Sequence, residues 1–325
     1  MIIPRLLSVL TAAALVVIGS AAMAQAPTPI TIGWGAFFDV PQLAQAVDKD
    51  LWKDQNLAPQ IVSFATGRES FEAVIGGQLD FAILTEFPAV IGVMRNLKFQ
   101  IPAVLSKFKT LRVVAKSATP ITTMKPLAGK KIATILGTNL HFLVVEALKR
   151  DGVSAELVNV GPADMIPALV RGDVDAAATF PSAYQAVRRT LGTQYQEIPV
   201  PGIAQSFVIV ASDKVATKTP ALMWRLLAVL LKGERLVAAD PLESQEAVSR
   251  YVGKAIPLEL IQASWPEYEF RIQLDKATLD LMVREATWLR EQGFVKEGTP
   301  SAELFSKYLV TGPLKDLAAA RVEIP

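Results

Sequence analysis

Gly137-Thr138-Asn139 is the segment whose residue types are best suited to bind an anion. An amphipathic helix pattern follows it, with Leu140, Val144, Ala147 and Leu148 at helical spacing. A helix start of this kind leaves backbone N–H groups free at the positive end of the helix dipole, where carboxylate, sulfonate or phosphate groups bind. The pattern therefore predicts that Gly137, Thr138 and Asn139 contact an anionic ligand. The alternative is an ordinary helix N-cap.

Thr66-Gly67-Arg68-Glu69-Ser70 is a similar segment ahead of an earlier predicted helix. We expect Thr66, Gly67 and Ser70 to contact the same ligand, with Ser70 also capping the helix. Arg68 could hold an anion through two parallel hydrogen bonds. It could equally be a solvated charge or a partner of Glu69.

Aromatic and acidic residues follow two predicted strands of the first half of the chain. Trp34, Phe37 and Phe38 come after the first strand, and we expect Trp34 or Phe37 to stack on the ligand, although either could fill the core. Thr85 and Glu86 come after a later strand. Glu86 could accept a ligand N–H, pair with a cation or remain a surface charge.

The second half of the chain offers further candidates. Phe180 and Ser182 occupy the positions that correspond to Thr85 and Glu86, and we expect them to contact the ligand. His141, the single histidine, is separated from the Gly137-Thr138-Asn139 segment by one residue. Its position makes it a candidate contact, although a lone histidine is often incidental.

These segments belong to an internal repeat. Residues 73–82 (AVIGGQLDFA) return as residues 168–177 (ALVRGDVDAA), and each reads as a helix end, a glycine stop and a buried strand opened by aspartate. Candidate strands precede both copies. A chain that repeats strand–helix–strand–helix–strand predicts two similar open α/β lobes, with ligands at the carboxyl ends of the strands.

The lobe boundaries follow from apolar strands and proline-rich crossings. We expect lobe 1 to comprise residues 25–116, lobe 2 residues 117–204, and a return strand with C-terminal helices of lobe 1 to occupy residues 205–325. Two crossings between lobes form a hinge, which permits closure around a ligand in the cleft.

Residues 1–24 have the pattern of a secretory signal peptide. Arg5 precedes an apolar stretch, and two overlapping Ala-x-Ala sites follow at residues 22–26. The alternative is a membrane anchor, because the apolar stretch approaches spanning length. Gly19, Ser20 and the two cleavage sites favour removal.

Composition excludes several classes of function. With 33 basic and 31 acidic residues the chain is nearly neutral, and no basic run points to nucleic acid. The absence of cysteine excludes disulfides, thiolate metal sites, a cysteine nucleophile and a lipidated cysteine anchor. A single histidine argues against a multi-histidine metal site. We expect a freely diffusing periplasmic protein that is not an enzyme.

The chain resembles the substrate-binding proteins of ABC importers in the nitrate/sulfonate/taurine (NitT/TauT) group, which have the type II periplasmic-binding fold. The resemblance covers nearly all of the mature chain and rests on the order of five segments. They are IGGQLDFA at 75–82, LAGKKI at 127–132, GTN at 137–139 with Phe142-Leu143, PADM at 162–165 and WLREQG at 288–293.

One departure concerns the residues after the lobe-2 strand. Family members often carry Trp, an acidic residue and Pro there, whereas this chain has Phe180-Pro181-Ser182 and lacks the acid. Thr85-Glu86-Phe87-Pro88 keeps an acid and a proline after the lobe-1 strand. The ligand preferences of other members therefore cannot simply be transferred.

The resemblance implies a periplasmic monomer that captures a small organic anion, sulfonate- or carboxylate-like, and delivers it to the permease and ATPase of an ABC importer, without a cofactor. One alternative is an amino-bearing or heterocyclic ligand such as a thiamine-precursor pyrimidine. Another is a ligand-sensing module for a signalling partner. A pyrimidine-forming enzyme of the same fold fits less well, because it is cytoplasmic and expects a cysteine-rich iron segment.

Overall fold

The computed structural model describes residues 26–324, apart from residues 36, 65, 110, 181–182, 201–202 and 254–255. The predicted signal peptide and the candidate Ser182 lie outside the described residues. None of the helices in the described part of the chain has the length and apolar character needed to cross a bilayer.

The strands form two mixed sheets. In chain order the strands are β1 (Thr28–Gly33), β2 (Leu57–Val62), β3 (Phe81–Thr85), β4 (Phe99–Phe108), β5 (Arg112–Lys116), β6 (Lys131–Thr134), β7 (Glu156–Asn159), β8 (Ala176–Ala178), β9 (Tyr195–Pro199), β10 (Gln205–Ser212) and β11 (Tyr268–Glu269). The first sheet has the order β11-β4-β10-β3-β1-β2 and the second the order β7-β6-β8-β5-β9.

Helices follow most of these strands. They are α1 (Pro41–Asp48), α2 (Gly67–Ile75), α3 (Glu86–Met94), α4 (Asn139–Asp151), α5 (Pro162–Arg171), α6 (Tyr184–Leu191), α7 (Asp213–Lys218), α8 (Ala221–Ala239), α9 (Pro241–Val252), α10 (Leu258–Ser264), α11 (Lys276–Glu291), α12 (Ala302–Ser306) and α13 (Gly312–Ala318).

The two sheets share one arrangement. β1 pairs in parallel with β2 and β3, and β6 pairs in parallel with β7 and β8. An antiparallel strand then joins each set, β10 beside β3 and β5 beside β8. The prediction of two similar α/β lobes is therefore confirmed.

The two repeated aspartates make equivalent hydrogen bonds in the two sheets. An Asp80 carboxylate oxygen accepts hydrogen bonds from the backbone N–H of Thr31 (3.0 Å) and from its hydroxyl (3.1 Å). The Asp175 carboxylate accepts one from the backbone N–H of Lys131 at 2.9 Å. Each aspartate thus ties the start of its own strand to the neighbouring central strand.

Strand pairing corrects the predicted end of the first part of lobe 1. The sequence assigns residues 112–116 to that lobe, but β5 pairs with β8 and β9 in the second sheet. The first crossing therefore lies between Phe108 and Arg112. An apolar run identifies a buried strand, but the sheet that receives it depends on pairings distant in sequence. β10 joins β3 and β4, as expected of the return strand.

Gly233 sets the distance between α1 and α8. A Cβ atom at this position would lie 2.3 Å from the backbone oxygen of Gln42 on α1. Because backbone atoms cannot move aside as a flexible side chain can, the two helices would have to separate. We expect Gly233→Ala to lower the free energy of unfolding by about 2–3 kcal/mol or more, as measured by urea denaturation. Gly161→Ala is the matched control, because its Cβ would meet no atom within 4 Å. Equal stability of the two variants would contradict this close approach.

Candidate functional site

The start of α4 presents backbone donors that lack a side-chain cap. Thr138 is the N-cap residue with extended backbone angles, and Gly137 has a φ of +74°. The Thr138 hydroxyl donates to the backbone oxygen of Ile135 at 2.6 Å, so it does not accept from the first turn. Among the described residues, no group accepts from the backbone N–H groups of Asn139 and Leu140. These donors are suited to an anion.

Asn139 connects this helix start to the first sheet. Its side chain is buried, and its amide donates to the side-chain oxygen of Gln205 on β10 at 3.3 Å. α4 belongs to the second lobe, whereas β10 lies in the first sheet. The contact therefore couples the two lobes at the predicted site.

His141 is engaged within the protein. Its Nδ1 accepts a hydrogen bond from the backbone N–H of Gly137 at 3.2 Å. Its ring packs edge-on against Trp288 and Phe294, with centroids 4.9 and 5.7 Å apart. Burial lowers the pKa of His141, which favours the neutral form needed to accept this bond. The imidazole thus holds the glycine turn in place.

The lobe-1 helix start is capped by Thr66. The Thr66 side chain accepts from the backbone N–H of Glu69 at 3.2 Å, and the Glu69 side chain accepts in return from the backbone N–H of Thr66. The prediction that Ser70 is the cap is wrong. Its hydroxyl instead donates to the backbone oxygen of Gly67 at 2.9 Å, because Ser70 lies one turn inside the helix. The donors of this helix start are therefore less available than those of α4.

Arg68 lies on the solvent side of α2. It pairs with Glu72 at 2.9 Å rather than with Glu69, because residues four apart share a helix face. The two side chains are 80% and 60% exposed, so the pair contributes little to stability.

We expect Arg68→Ala to leave ligand affinity unchanged and to alter the free energy of unfolding by less than about 0.5 kcal/mol. Titration calorimetry and urea denaturation measure these two quantities. A tenfold loss of affinity would instead place Arg68 in the site.

Glu86 is a fully buried carboxyl at the start of α3. One carboxylate oxygen accepts from the backbone N–H of Ser206 at 2.6 Å. The other oxygen of Glu86, and both oxygens of the neighbouring buried carboxyl of Glu285 on α11, have no hydrogen-bond partner among the described residues. Burial raises the pKa of both carboxyls, since desolvation penalises the charged form. The surface-charge interpretation of Glu86 is wrong, because Ser206 and Glu285 enclose it.

The loop after β1 contains a second buried acid. Trp34 is completely buried and stacks on Tyr251 at 4.4 Å, so its ring serves the core. Asp39 is buried near the indole of Trp34, and desolvation raises its pKa to about 7. Phe37 is half-buried, with its ring over Gly35.

The remaining candidates lie at strand ends. Thr85 is the half-buried N-cap residue of α3 and makes no side-chain capping bond. Phe180 follows β8 and is 36% exposed. Thr85 ends β3 and Phe180 lies just beyond β8, and each strand is parallel to the central strand of its sheet. Both residues therefore lie at the edges expected to face a ligand.

A cavity of about 170 Å³ lies between α6 and α10. Arg112 spans it, with ion pairs to Glu267 at 2.5 Å and to Glu197 at 3.7 Å. The charged side chains that line this cavity are already paired with each other. The cavity is therefore less suited to an anion than the start of α4.

Sequence reasoning missed three polar groups of this region: Asp39, Gln205 and Glu285. Only Glu285 left a usable signal, because it shares a helical face with the apolar residues Leu281, Met282 and Leu289. An acid on such a face is buried and needs a partner.

A model of the family described as "NMT1/THI5 like" matches residues 39–244. The taurine-binding periplasmic protein of Escherichia coli (strain K12) is 24% identical over 163 residues, which are 49% of this chain. The match spans about half (50%) of the length of that curated relative.

Two solved structures share the fold. The periplasmic aliphatic sulphonate binding protein SsuA from Escherichia coli superposes with a TM-score of 0.73 at 19% identity, over 88% of this chain and 92% of that chain. The alkanesulfonate-binding protein SsuA from Xanthomonas axonopodis pv. citri, bound to MOPS, superposes with a TM-score of 0.71 at 20% identity, over 89% of this chain and 100% of that chain. At these identities the likeness shows the fold.

Proposed function

Because the chain belongs to the NMT1/THI5-like family, we propose that it is a substrate-binding protein that captures a small organic anion between its two lobes. The anion class is that of an aliphatic sulfonate or a carboxylate. The relatives named for taurine and for sulfonates support this choice of ligand. Binding proceeds without chemical conversion of the ligand.

The observation that carries this proposal is the helix start of α4. Its first-turn N–H groups lack an acceptor among the described residues, and Thr138 does not cap them. Unsatisfied donors at the positive end of a thirteen-residue helix favour a negatively charged group. A sulfonate or carboxylate satisfies these donors.

The ligand contacts follow from this position. The backbone of Gly137, Thr138 and Asn139 holds the anionic group. Phe37, Thr85 and Phe180 line the cleft around the rest of the ligand. The described residues of 26–108 and 205–324 form one lobe, and those of 112–200 form the other. Closure about the two crossings encloses the ligand.

Delivery to a membrane transporter completes the proposal. The protein acts as a monomer in the periplasm after removal of residues 1–24, and its partners are the permease and ATPase of an ABC importer. The family resemblance and the name of the taurine-binding periplasmic relative support this role. Finding the full-length chain in the membrane fraction would contradict release by signal cleavage.

A thermal-shift screen of the mature protein tests the ligand class. The probes are ethanesulfonate, taurine, nitrate, benzoate and an aminopyrimidine precursor of thiamine, each against sodium chloride of equal ionic strength. A ligand that binds only the folded state stabilises it by about 2.7 kcal/mol at a hundredfold excess over its Kd. The buffer is phosphate, because MOPS and related buffers are themselves sulfonates and a protein of this fold binds MOPS.

We expect ethanesulfonate or taurine to raise the melting temperature and to reduce the radius of gyration in solution scattering. A response to the pyrimidine alone would favour the heterocyclic alternative. A ligand that is chemically converted would refute the binding role, and an unchanged radius at saturation would refute closure.

A further inference from the structure

Trp288 is the centre of a buried aromatic cluster that joins the two lobes. It lies on α11, which packs against α3 and β10 of lobe 1. Its ring contacts His141 and Phe142 of α4, with centroids 4.9 and 5.6 Å apart, and α4 packs against β6 and β8 of lobe 2. Phe87 of α3 and Phe294, which follows α11, complete the cluster. Trp288, His141 and Phe142 are buried, so this contact between the lobes excludes water.

His141 connects the cluster to the turn before α4. Its Nδ1 accepts a hydrogen bond from the backbone N–H of Gly137 at 3.2 Å, and Gly137 directly precedes the N-cap residue Thr138. The torsion that turns a histidine ring is only weakly restricted by the side chain itself. The indole of Trp288 packs against the imidazole with the two ring planes at 82°. This packing holds the imidazole in the orientation in which Nδ1 faces Gly137.

Phe294 contacts the same turn directly. A Cβ atom on Gly137 would lie 3.3 Å from two carbons of the Phe294 ring, so the glycine permits a close approach. The Phe294 centroid is 5.7 Å from those of His141 and Trp288. Lobe 1 therefore contacts this turn of lobe 2 in two ways, directly through Phe294 and, from Trp288, through His141.

We propose that Trp288 is a positioning residue of the anion site, which acts through His141 to fix the Gly137 turn, so that lobe 1 orders the donors at the start of α4. This inference rests on the proposed function. Donors that are already ordered bind an anion more tightly, because less conformational freedom is lost on binding. Separation of the lobes would remove Trp288 from the imidazole and weaken the site, which links closure to affinity.

Two other contacts join α4 to lobe 1 without involving the turn. Arg284 of α11 pairs with Glu146 at 2.7 Å, about two turns beyond the helix start. The Asn139 amide donates to Gln205 at 3.3 Å and holds the first residue of the helix. The Arg284–Glu146 pair therefore supplies a control, because its loss removes a contact between the lobes and leaves His141 and Gly137 in place.

Nitrogen NMR of the imidazole tests the positioning role directly. His141 is the single histidine of the chain, so its ring signals in a tag-free protein need no further assignment. At mildly alkaline pH the wild-type ring should carry its proton on Nε2, because Nδ1 accepts from Gly137. Trp288→Phe keeps an aromatic neighbour and should keep this tautomer. Trp288→Ala should give a mixture of tautomers.

Hydrogen exchange of the Gly137 amide gives a second reading of the same contact. Loss of one hydrogen bond of about 0.5–1.5 kcal/mol should speed its exchange by up to about tenfold in Trp288→Ala. Trp288→Phe and Arg284→Ala should exchange as the wild type does. A proton on Nδ1 in the wild type, or identical ring and amide signals in wild type and Trp288→Ala, would overturn the positioning role.

Titration calorimetry with ethanesulfonate measures the consequence for binding. We expect Trp288→Ala and His141→Ala each to lower the affinity by about tenfold, as loss of one ordering contact predicts. The double variant should lose no more than either single variant, because both changes act on the same turn. Trp288→Phe should restore most of the affinity. Trp288→Leu, which retains apolar volume without a ring, takes the place of Trp288→Ala if that variant does not fold.

Phe99→Leu separates positioning from general destabilisation. Phe99 is a buried ring of lobe 1 that packs against Phe71 and Tyr308, each with centroids 5.0 Å apart. This variant should lower the melting temperature and keep wild-type affinity, and Arg284→Ala should also keep it. Equal losses of affinity in Trp288→Ala and either control, or losses that add in the double variant, would overturn the positioning role and leave the proposed function intact.

The two claims fail in different ways. If ethanesulfonate, taurine and benzoate all fail to bind, the proposed function is wrong, and Trp288 then has no anion site to position. The tautomer of His141 and the exchange of the Gly137 amide still decide whether Trp288 fixes the turn.

Discussion

Thr138→Asp is expected to lower the affinity for an organic anion by about 100-fold or more. An aspartate at the N-cap accepts from the first-turn N–H groups that the ligand would use, and it adds a negative charge beside them. Each charge-assisted hydrogen bond contributes about 1.5–3 kcal/mol, and about 1.4 kcal/mol corresponds to a factor of ten. Loss of two such bonds gives the expected effect, measured by titration calorimetry.

The same substitution should not destabilise the protein. Aspartate is a good N-cap residue and its charge is favourable at a helix start, so the free energy of unfolding should stay constant or rise by up to about 1 kcal/mol. Thr138→Asn is the control for side-chain size, because asparagine is as large as aspartate but carries no charge. Ser301→Asp places the same charge at the N-cap of α12, where Ser301 accepts from the backbone N–H of Leu304 at 3.1 Å, and it should keep wild-type affinity. Retained affinity in Thr138→Asp would show that the start of α4 is only a helix terminus.

Asp39→Asn is expected to remove a large part of the pH dependence of stability. Burial raises the pKa of Asp39 from 3.8 to about 7, so the folded state holds a proton that the unfolded chain releases. Its stabilisation is fully present below about pH 4 and is lost as the pH rises through about 7. Since one pKa unit corresponds to about 1.4 kcal/mol, the loss attributable to Asp39 is on the order of 4 kcal/mol.

Urea denaturation at pH values across this window, on wild type and Asp39→Asn, measures the difference. The variant should lose less stability toward neutral pH. The Glu86–Glu285 pair contributes a decline of the same sign, so some pH dependence remains. Surface ion pairs affect stability in a different pH range. Hydrogen bonds from Arg250 and Lys49 lower the pKa of Asp48 to about 2, so the stability that these bonds contribute is lost only in acid. An identical decline in both proteins would show that Asp39 is ionised in the fold.

The sequence predicted the repeated architecture because its signals are local. The glycines after α2 and α5, with Asp80 and Asp175 before the next strand, mark the same turn twice. Each of these residues acts within its own supersecondary unit. The helix start at Thr138 is local in the same sense, and the structure has α4 begin at Asn139.

Pairings between distant residues could not be predicted in this way. The pattern identified residues 112–116 as a strand but not the sheet that β5 joins. Glu86 is a plausible surface charge until α11 places Glu285 against it. Ser70 is a reasonable cap by residue type, yet the capping box of Thr66 and Glu69 forms instead because it satisfies two backbone donors at once.

A crystal structure of the mature protein with ethanesulfonate, grown without sulfonate buffer, tests the central claim most directly. We expect the sulfonate oxygens within hydrogen-bond distance of the backbone N–H groups of Asn139 and Leu140, with both lobes in contact with the ligand. A sulfonate bound elsewhere, for example beside Arg112 in the cavity between α6 and α10, with the start of α4 left free, would contradict the account.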